Sequence, residues 1–316
     1  MFFPLTERQL YVFFTVILDG YSMDHLLTHT DALLNHVYWF KHDLKFKPTK
    51  DHIGSAINWT DISDRKHDFL RELVNTVSSW VYNKAAVKKI LDDRIAETGD
   101  FGNAATFLTT QAFSKFRPGH PQGQFGELLL FNFIQHFFKA VPLLRKQQIT
   151  TSTGHERFGA DAIHYSNANN LHNFYLGESK CYESKYRFAQ AFETSLNSII
   201  TTVTNLNKEL DLYVYDDFIE NELEDIAKQY KANKLSNVNF ELVCLIAYNE
   251  TEKITGSNET EVKEFIKSTI ESRCEKIEQK LFNGVDSRIL DRINYIIFPI
   301  WELDHFLKEF QKKVGT

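Results

Sequence analysis

Residues 240–248 read Phe-Glu-Leu-Val-Cys-Leu-Ile-Ala-Tyr, and this stretch decides the fold of the chain. Its apolar side chains do not alternate with polar ones, as they would in a strand with one face in water. Such a run suits the central strand of a sheet that helices cover on both faces. We therefore predict a three-layer α/β fold, with a mixed central sheet flanked by helices.

Hydrophobic spacing predicts further elements before and after this strand. The preceding elements are a helix over about 124–139, strands over about 143–149, 159–165 and 173–180, and a long helix over about 184–206. The following elements are a helix over about 261–281, a strand over 293–300 and a terminal helix.

A run of helix and strand breakers, residues 117–123, precedes all of these elements (Arg-Pro-Gly-His-Pro-Gln-Gly). It predicts a boundary between an N-terminal region, residues 1–118, and a core, residues 119–316. Within the N-terminal region, helical spacing over about 64–93 predicts one long helix. We expect a mostly helical elaboration whose role is open, with partner docking as a candidate.

Length, charge and cysteine content limit the class of protein. The chain has 316 residues, a net charge of −6 and three cysteines without a C-x-x-C pair. This charge argues against a protein that coats nucleic acid through a basic surface, and the cysteine spacing argues against a disulfide framework or a zinc ribbon. The longest apolar stretch near the start, Leu10–Leu18, has about half of the roughly 20 residues that a membrane span needs. We expect a cytoplasmic protein without a membrane span.

An acid and an amine end the strand predicted over 173–180. Strand side chains alternate between faces, so Glu178 and Lys180 share a face with Phe174 and Leu176. The chain contains three other Glu-x-Lys triplets, but they fall in predicted helices or at a helix start, where charged residues usually face solvent. Glu178 and Lys180 alone end an apolar strand.

Two further acids are predicted to point inward. Asp161 lies among small and apolar neighbours in the strand over 159–165, where an unpaired carboxylate is costly to bury. It needs a partner or a metal ion. Glu127 shares a helix stripe with Leu130 and Ile134, which should face the core. Its place in the first helical turn is equally consistent with a simple interaction with the helix dipole.

Three inward acids and a lysine make a hard, oxygen-rich site that suits Mg²⁺ or Mn²⁺ better than zinc. Hydrolysis of phosphodiesters uses such a site. The metal polarises the phosphoryl oxygen and lowers the pKa of a bound water, while a lysine positions that water or stabilises developing charge.

The order of these motifs is similar to that of the PD-(D/E)XK nucleases. It runs from Gly126-Glu127 on a helix, through Gly-Ala-Asp-Ala-Ile-His at 159–164, to Leu-Gly-Glu-Ser-Lys at 176–180. More narrowly, it resembles HamA, the nuclease subunit of Hachiman anti-phage defence systems. The resemblance is strongest over about 123–206 and extends in topology to the C-terminus. It implies a restriction-endonuclease-like nuclease core over 119–316.

The resemblance also implies roles for the site residues. Asp161 and Glu178 would bind the metal, together with the backbone carbonyl of Ser179. Lys180 would act on the attacking water, and Glu127 would complete the acidic cluster. The family usually has a proline before the first acid, and Ala160 stands at that place. Because the acids and the lysine are all present, we expect an active Mg²⁺-dependent DNA nuclease.

The resemblance implies a protein partner as well as DNA. In Hachiman systems a helicase subunit of the HamB type holds the nuclease in check until aberrant or invading DNA is sensed. Around the predicted site, Arg157, Lys185, Arg187 and Gln190 are candidate contacts to nucleic acid. A solvated surface role is at least as good an interpretation of these four residues.

Two other functions compete with the defence nuclease. One is a stand-alone restriction-type endonuclease with built-in sequence recognition, which the acidic net charge disfavours. The other is a catalytically silent nuclease fold that serves as a scaffold or regulatory subunit, with Glu178 and Lys180 as an ion pair at the sheet edge. The complete set of four site residues disfavours this second alternative.

Overall fold

A seven-stranded sheet forms the middle layer of the protein. The structure is a computed structural model that describes residues 23–60, 63–117, 121–145, 159–182, 188–213 and 221–315. The strands are β1 (Val37–Asp43), β2 (Asp51–Ile57), β3 (Val141–Leu144), β4 (Ala162–Ala168), β5 (Leu171–Tyr182), β6 (Val238–Glu250) and β7 (Ile293–Trp301).

The sheet is mixed, and its order is β1-β2-β7-β6-β5-β4-β3. The four middle strands, β2, β7, β6 and β5, pair in parallel, while β1 and the pair β4 and β3 run antiparallel to their neighbours. The run at 240–248 lies within β6, at the centre of this order. The prediction of a central strand is confirmed.

Helices cover both faces of the sheet. Within the described residues the α-helices are α1 (Asp31–Leu34), α2 (Lys66–Asn75), α3 (Val77–Val81), α4 (Lys84–Thr98), α5 (Phe101–Phe113), α6 (Pro121–Phe138), α7 (Phe188–Tyr213), α8 (Glu224–Lys231), α9 (Glu259–Cys274), α10 (Ser287–Leu290) and α11 (Leu303–Val314). Short 3₁₀ turns cover Asp24–Leu26, Asn221–Leu223 and Gln279–Phe282.

Each face of the sheet has its own hydrophobic core, because successive strand residues point to opposite sides. From β6, Cys244 and Ile246 enter the core that includes buried residues of α7 and α9. Their neighbours Val243 and Leu245 enter the core that includes buried residues of α2, α6 and α11. All four are completely buried. The predicted three-layer α/β fold is confirmed.

The single helix predicted over about 64–93 is wrong, because the chain forms α2, α3 and α4 there. Tyr82, at the end of α3, is extended, with φ −117° and ψ 143°. The next residue, Asn83, begins a new helix, and its side chain accepts a hydrogen bond from Ala86 N. Asparagine is among the preferred N-cap residues, so this capping bond favours a fresh start over a continuous helix.

The sheet spans the boundary predicted at residue 118. β1 and β2 precede that boundary, and β2 pairs with β7 through Ile53↔Ile296 and Gly54↔Ile297. The region before residue 118 is mostly helical, as expected, but it also supplies these two strands. Gly54 pairs with Phe40 of β1, and its lack of a side chain leaves space for the Phe40 ring. A Cβ at residue 54 would lie 2.2 Å from that ring.

Candidate functional site

The candidate site lies where β4 begins beside β5. Pairing between these strands runs from Ala168↔Leu171 to Ala162↔Gly177, and β5 continues beyond it to Tyr182 against β6. Beyond Gly177, where the pairing with β4 stops, Asp161 makes the hydrogen bonds to this edge of β5. Its amide donates to Gly177 O at 2.8 Å, and its Oδ2 accepts from Ser179 N at 2.9 Å. Asp161 therefore caps this strand edge with a carboxylate.

Small residues shape the surroundings of Asp161. Gly159 has φ +141°, a conformation that residues with a side chain rarely adopt, so glycine is needed at the entry to β4. Ser179 Oγ also donates to Asp161 Oδ2, at 3.1 Å. On the same face of β5, α6 brings Gly126 so close that a Cβ there would lie 3.1 Å from Ser179 Oγ. The backbone of α6 thus closes one side of the site.

Glu178 projects from the opposite face of β5, towards α7. It is only 3% exposed. Ser198 Oγ donates to its Oε2 at 2.8 Å, and Thr202 Oγ1 donates to its Oε1 at 2.9 Å. Ser198 and Thr202 are four residues apart on α7, a spacing that places both hydroxyls on one helix face. Each oxygen of the buried carboxylate therefore has a hydroxyl donor.

These two hydroxyl residues were not identified from the sequence, although the helix pattern contains a signal for them. Phe192, Leu196 and Ile199 form an apolar stripe along α7, and all three are buried. Ser198 and Thr202 interrupt the inward side of that stripe. A buried hydroxyl needs a hydrogen-bonding partner, so such an interruption indicates a polar group on the facing strand.

Lys180 lies beside Glu178 on the α7 face, as alternation predicts. Its Nζ is 3.4 Å from Glu178 Oε2, and its side chain is 24% exposed. Burial raises the pKa of Glu178, and the negative charge of Asp161 raises it further, while Lys180 and the two hydroxyls oppose that rise. The negative charge of Asp161 is thus close enough to influence the ionisation of Glu178.

Glu127, predicted to complete the acidic cluster, lies on the helix that covers the Ser179 face of β5. It is half-buried on α6, next to Gly126, whereas Leu130 and Ile134 of its predicted stripe are fully buried. Over the part of the chain that the structure describes, no three His, Cys, Asp or Glu side chains are grouped so that they could hold a metal ion. The structure places Lys180 beside Glu178, and Asp161 beside the intervening Ser179.

The candidate contacts to nucleic acid fall mostly where the structure makes no statement. Arg157, Lys185 and Arg187 lie outside the described residues. Gln190 is exposed near the start of α7. His164, in the motif at 159–164, is completely buried with its ring 5.5 Å from that of Phe131, and burial lowers its pKa to about 3. It therefore stays neutral near pH 7.

The acids that meet here fit a divalent metal of the magnesium type. Mg²⁺ is commonly bound by one or two carboxylates and completes its shell with water and substrate oxygens. Asp161 and Glu178 supply two carboxylates. The backbone N–H and C=O of one strand residue lie on the same edge, so the Ser179 carbonyl shares the edge that its N–H uses to reach Asp161. Oxygen is the only ligand type in this set.

A comparison with protein-family models identifies the family of this chain. The model described as HamA matches residues 35–314. This chain belongs to the HamA family. The match begins before β1 and ends in α11, so the HamA likeness includes the first two strands as well as the motif region. The family makes the protein a Hachiman-type defence subunit.

Two further observations accompany the HamA match. A search of curated proteins finds no match to the chain. Of the helices in the described ranges, none combines the length and the apolar composition that crossing a bilayer requires.

Proposed function

We propose that this HamA family member is a metal-dependent DNA endonuclease, the effector subunit of its defence system, and that a helicase partner holds it inactive until DNA is sensed. The observation that carries the proposal is the meeting of Asp161, Glu178 and Lys180 at the end of the β4–β5 pairing. Two acids and an amine are the side chains that phosphodiester hydrolysis uses.

Mg²⁺ or Mn²⁺ would be held by Asp161, Glu178 and the Ser179 carbonyl. When bound, such a cation polarises a phosphoryl oxygen and lowers the pKa of a water ligand. The fold holds both carboxylates in place beforehand, since Ser179 donates twice to Asp161 and α7 donates twice to Glu178. Glu127, half-buried on α6, would act from outside this set.

Lys180 is the residue suited to the attacking water. Glu178 Oε2 orients its ammonium at 3.4 Å, and the partial exposure of the lysine side chain leaves that ammonium within reach of substrate. An ammonium has three donors and no acceptor. It can hold a water oxygen in position and stabilise the negative charge that develops on the phosphate.

Access to DNA is expected to depend on the partner. The net charge of −6 gives the chain little general attraction for a phosphate backbone. A helicase subunit that delivers DNA would supply the missing affinity, and the same subunit could block the site at rest. Both proteins would act in the cytoplasm, where invading DNA is exposed.

A scaffold without catalysis is the second candidate, and one observation favours it. Glu178 is almost completely buried, and its oxygens already accept from Ser198, Thr202 and Lys180. A carboxylate satisfied in this way could serve as a structural ion pair at the sheet edge.

Plasmid cleavage separates the two candidates. Purified protein is incubated with plasmid DNA and Mg²⁺ or EDTA, with and without the cognate helicase and ATP. Glu178→Gln and Lys180→Ala are compared with Lys280→Ala, which belongs to an exposed Glu-x-Lys triplet paired with Glu278. We expect Mg²⁺-dependent nicking that the first two variants lose, that the third retains and that the helicase suppresses. Intact DNA in every condition would favour the scaffold, and cleavage by both site variants would overturn the assignment of Glu178 and Lys180 as catalytic residues.

A further inference from the structure

A cavity of about 300 Å³ lies between α3, α4 and the end of β3. Its walls come from the junction of α3 and α4, from the first turns of α4 and from Arg145, which follows β3 directly. Asp161, Glu178 and Lys180 are not among its lining residues. The cavity is therefore a separate place at which a ligand could bind.

The lining of this cavity is cationic. Arg145, Lys84 and Lys88 contribute three positive charges, and Asp92 contributes one negative charge. Arg145 is the buried member, at 3% exposure, and its Nε donates to Ser79 O at 2.9 Å. That bond fixes the plane of a guanidinium, a group whose fork of donors matches the oxygens of a phosphate.

One face of α4 forms a long side of the cavity. Its lining residues are spaced by three and four positions along the helix: Lys84, Val87, Lys88, Leu91 and Asp92. This face brings two lysines and one aspartate to the cavity, so α4 adds a net positive charge to it.

The rest of the lining is mostly apolar. Tyr82, Val87 and Leu91 lie there beside the polar Thr28 and Ser79, and Tyr82 is buried. A bare phosphate would leave these side chains uncontacted, whereas a ligand with a flat organic group would cover them. The volume is at the lower end of the range for small-molecule sites, roughly 300–1,000 Å³.

We propose that this cavity binds a phosphate monoester carried by a nucleoside-sized group, either a free nucleotide or the terminal nucleotide of a strand. The phosphate contacts Arg145 and the two lysines of α4, Lys84 and Lys88, and the nucleoside packs on Tyr82 and Leu91. β3 pairs with β4 through Leu144↔Ile163, so Arg145 lies at the end of the sheet where Asp161 also lies. A strand end held there would be at the same end of the sheet as the proposed nuclease site.

Direct binding to the full-length protein in EDTA tests the proposal without any cleavage. The probes are dAMP, deoxyadenosine, inorganic phosphate, and one eight-nucleotide DNA with a 5′-phosphate or a 5′-hydroxyl. We expect dAMP to bind at least about tenfold more tightly than deoxyadenosine and than inorganic phosphate, because both halves of the ligand are recognised. Preference for the 5′-phosphorylated oligonucleotide over dAMP identifies a strand end, and the reverse identifies a free nucleotide.

Variants assign that binding to the cavity. Arg145→Gln and the cavity-filling Val87→Phe should each weaken dAMP binding about tenfold or more, and Lys88→Gln should weaken it by a smaller factor. Lys89→Gln is the matched control. Lys88 and Lys89 are both 77% exposed and both pair with an aspartate four residues on, but only Lys88 lines the cavity.

Any of three results overturns the proposal. The first is the absence of binding by every phosphate-bearing probe. The second is undiminished dAMP binding by a folded Val87→Phe protein, and the third is equal weakening in Lys88→Gln and Lys89→Gln. Should Arg145→Gln fail to fold, Val87→Phe and the lysine pair still decide the matter. Every binding measurement contains EDTA. Its result therefore does not depend on whether the protein is a metal-dependent nuclease, which the loss of plasmid cleavage in Lys180→Ala tests separately.

Discussion

Thr202 Oγ1 donates a 2.9 Å hydrogen bond to Glu178 Oε1, and this bond joins α7 to β5 in the interior of the protein. Thr202 is 4% exposed and Glu178 is 3% exposed. With the parallel bond from Ser198, it fixes the carboxylate in one orientation. The position of Glu178 in the site therefore depends on a helix that contributes no charged group to it.

Replacing Thr202 by valine should reduce DNA cleavage about tenfold or more while the protein stays folded. The substitution keeps the shape of the side chain but removes the donor to Glu178 Oε1, and loss of a group that orients a metal ligand typically has an effect of 10- to 100-fold. The matched control is Thr201→Val. Thr201 is exposed, and its hydroxyl donates to Asn197 O within the helix. Equal cleavage rates for the two variants would refute the positioning role.

Replacing Gly177 by alanine should destabilise the protein by about 1–3 kcal/mol, the usual effect of overpacking a core. A Cβ at this position would lie 2.8 Å from Leu130 Cδ2 and 3.0 Å from Ile134 Cδ1. The control is a second glycine substitution, which should change the free energy of unfolding in the opposite direction. Gly123, in α6, would have nothing within 4 Å of a Cβ, so Gly123→Ala should stabilise the helix by about 0.5–1 kcal/mol. Denaturant unfolding measures both, and a Gly177→Ala protein as stable as wild type would contradict the packing.

Mg²⁺ should raise the unfolding temperature of the wild-type protein and not that of Asp161→Asn. A cation at ten times its dissociation constant adds about 1.4 kcal/mol to the free energy of unfolding, since it binds the folded chain alone. Asp304→Asn, which neutralises a 61% exposed acid on α11, should keep the full response. Thermal unfolding with and without Mg²⁺ gives the comparison. A shift that Asp161→Asn retains would place the metal elsewhere.

Acid should destabilise the fold through His52. This β2 residue is 1% exposed, and burial lowers its pKa from 6.5 to about 4. Its Nδ1 accepts from Tyr295 N and its Nε2 donates to Pro48 O, an arrangement that requires the neutral ring. The unfolded chain binds a proton near pH 6.5, whereas the folded chain resists it until about pH 4. Stability is therefore complete above pH 6.5 and falls as the pH drops towards 4.

Between pH 7.5 and pH 5, protonation of His52 in the unfolded chain should lower the free energy of unfolding by about 2 kcal/mol, because its pKa differs between the folded and unfolded states. Urea unfolding at several pH values measures it. His52→Asn should be less stable at pH 7.5 but should have a flatter pH profile by about that amount. His305→Gln, at an exposed position on α11, should follow the wild-type profile. An unchanged slope in His52→Asn would rule out this histidine as the source.

Local sequence patterns were sufficient for the elements that form the centre of the fold. β6 and β5 have long apolar or alternating runs, whose periodicity is a property of the strand itself. β2 was missed because its sequence, Asp-His-Ile-Gly-Ser-Ala-Ile, mixes polar residues and glycine. His52 and Ser55 are nevertheless buried, and Ser55 Oγ donates to Ile297 O of β7. Only the tertiary pairing with β7 explains their burial.

The candidate site likewise combines features that a local sequence pattern predicts with features that depend on tertiary contacts. Alternation along β5 predicted that Glu178 and Lys180 share a face, and their side chains lie 3.4 Å apart. The contact between Asp161 and Ser179 depends on where the pairing of β4 with β5 stops, which no local pattern specifies. The donors on α7 depend on how that helix is rotated against β5. These are long-range relationships between segments up to 24 residues apart.

The pairing of β2 with β7 has a practical consequence for anyone who shortens the chain. A fragment that starts at residue 119 would lack β1 and β2, and β7 would become an open edge. Ile296 and Ile297 of β7 are completely buried in the intact protein and point to opposite faces. An unprotected, apolar edge strand is a template for pairing with another copy of itself. Trimming at the breaker-rich run would thus yield an aggregating fragment instead of a minimal enzyme.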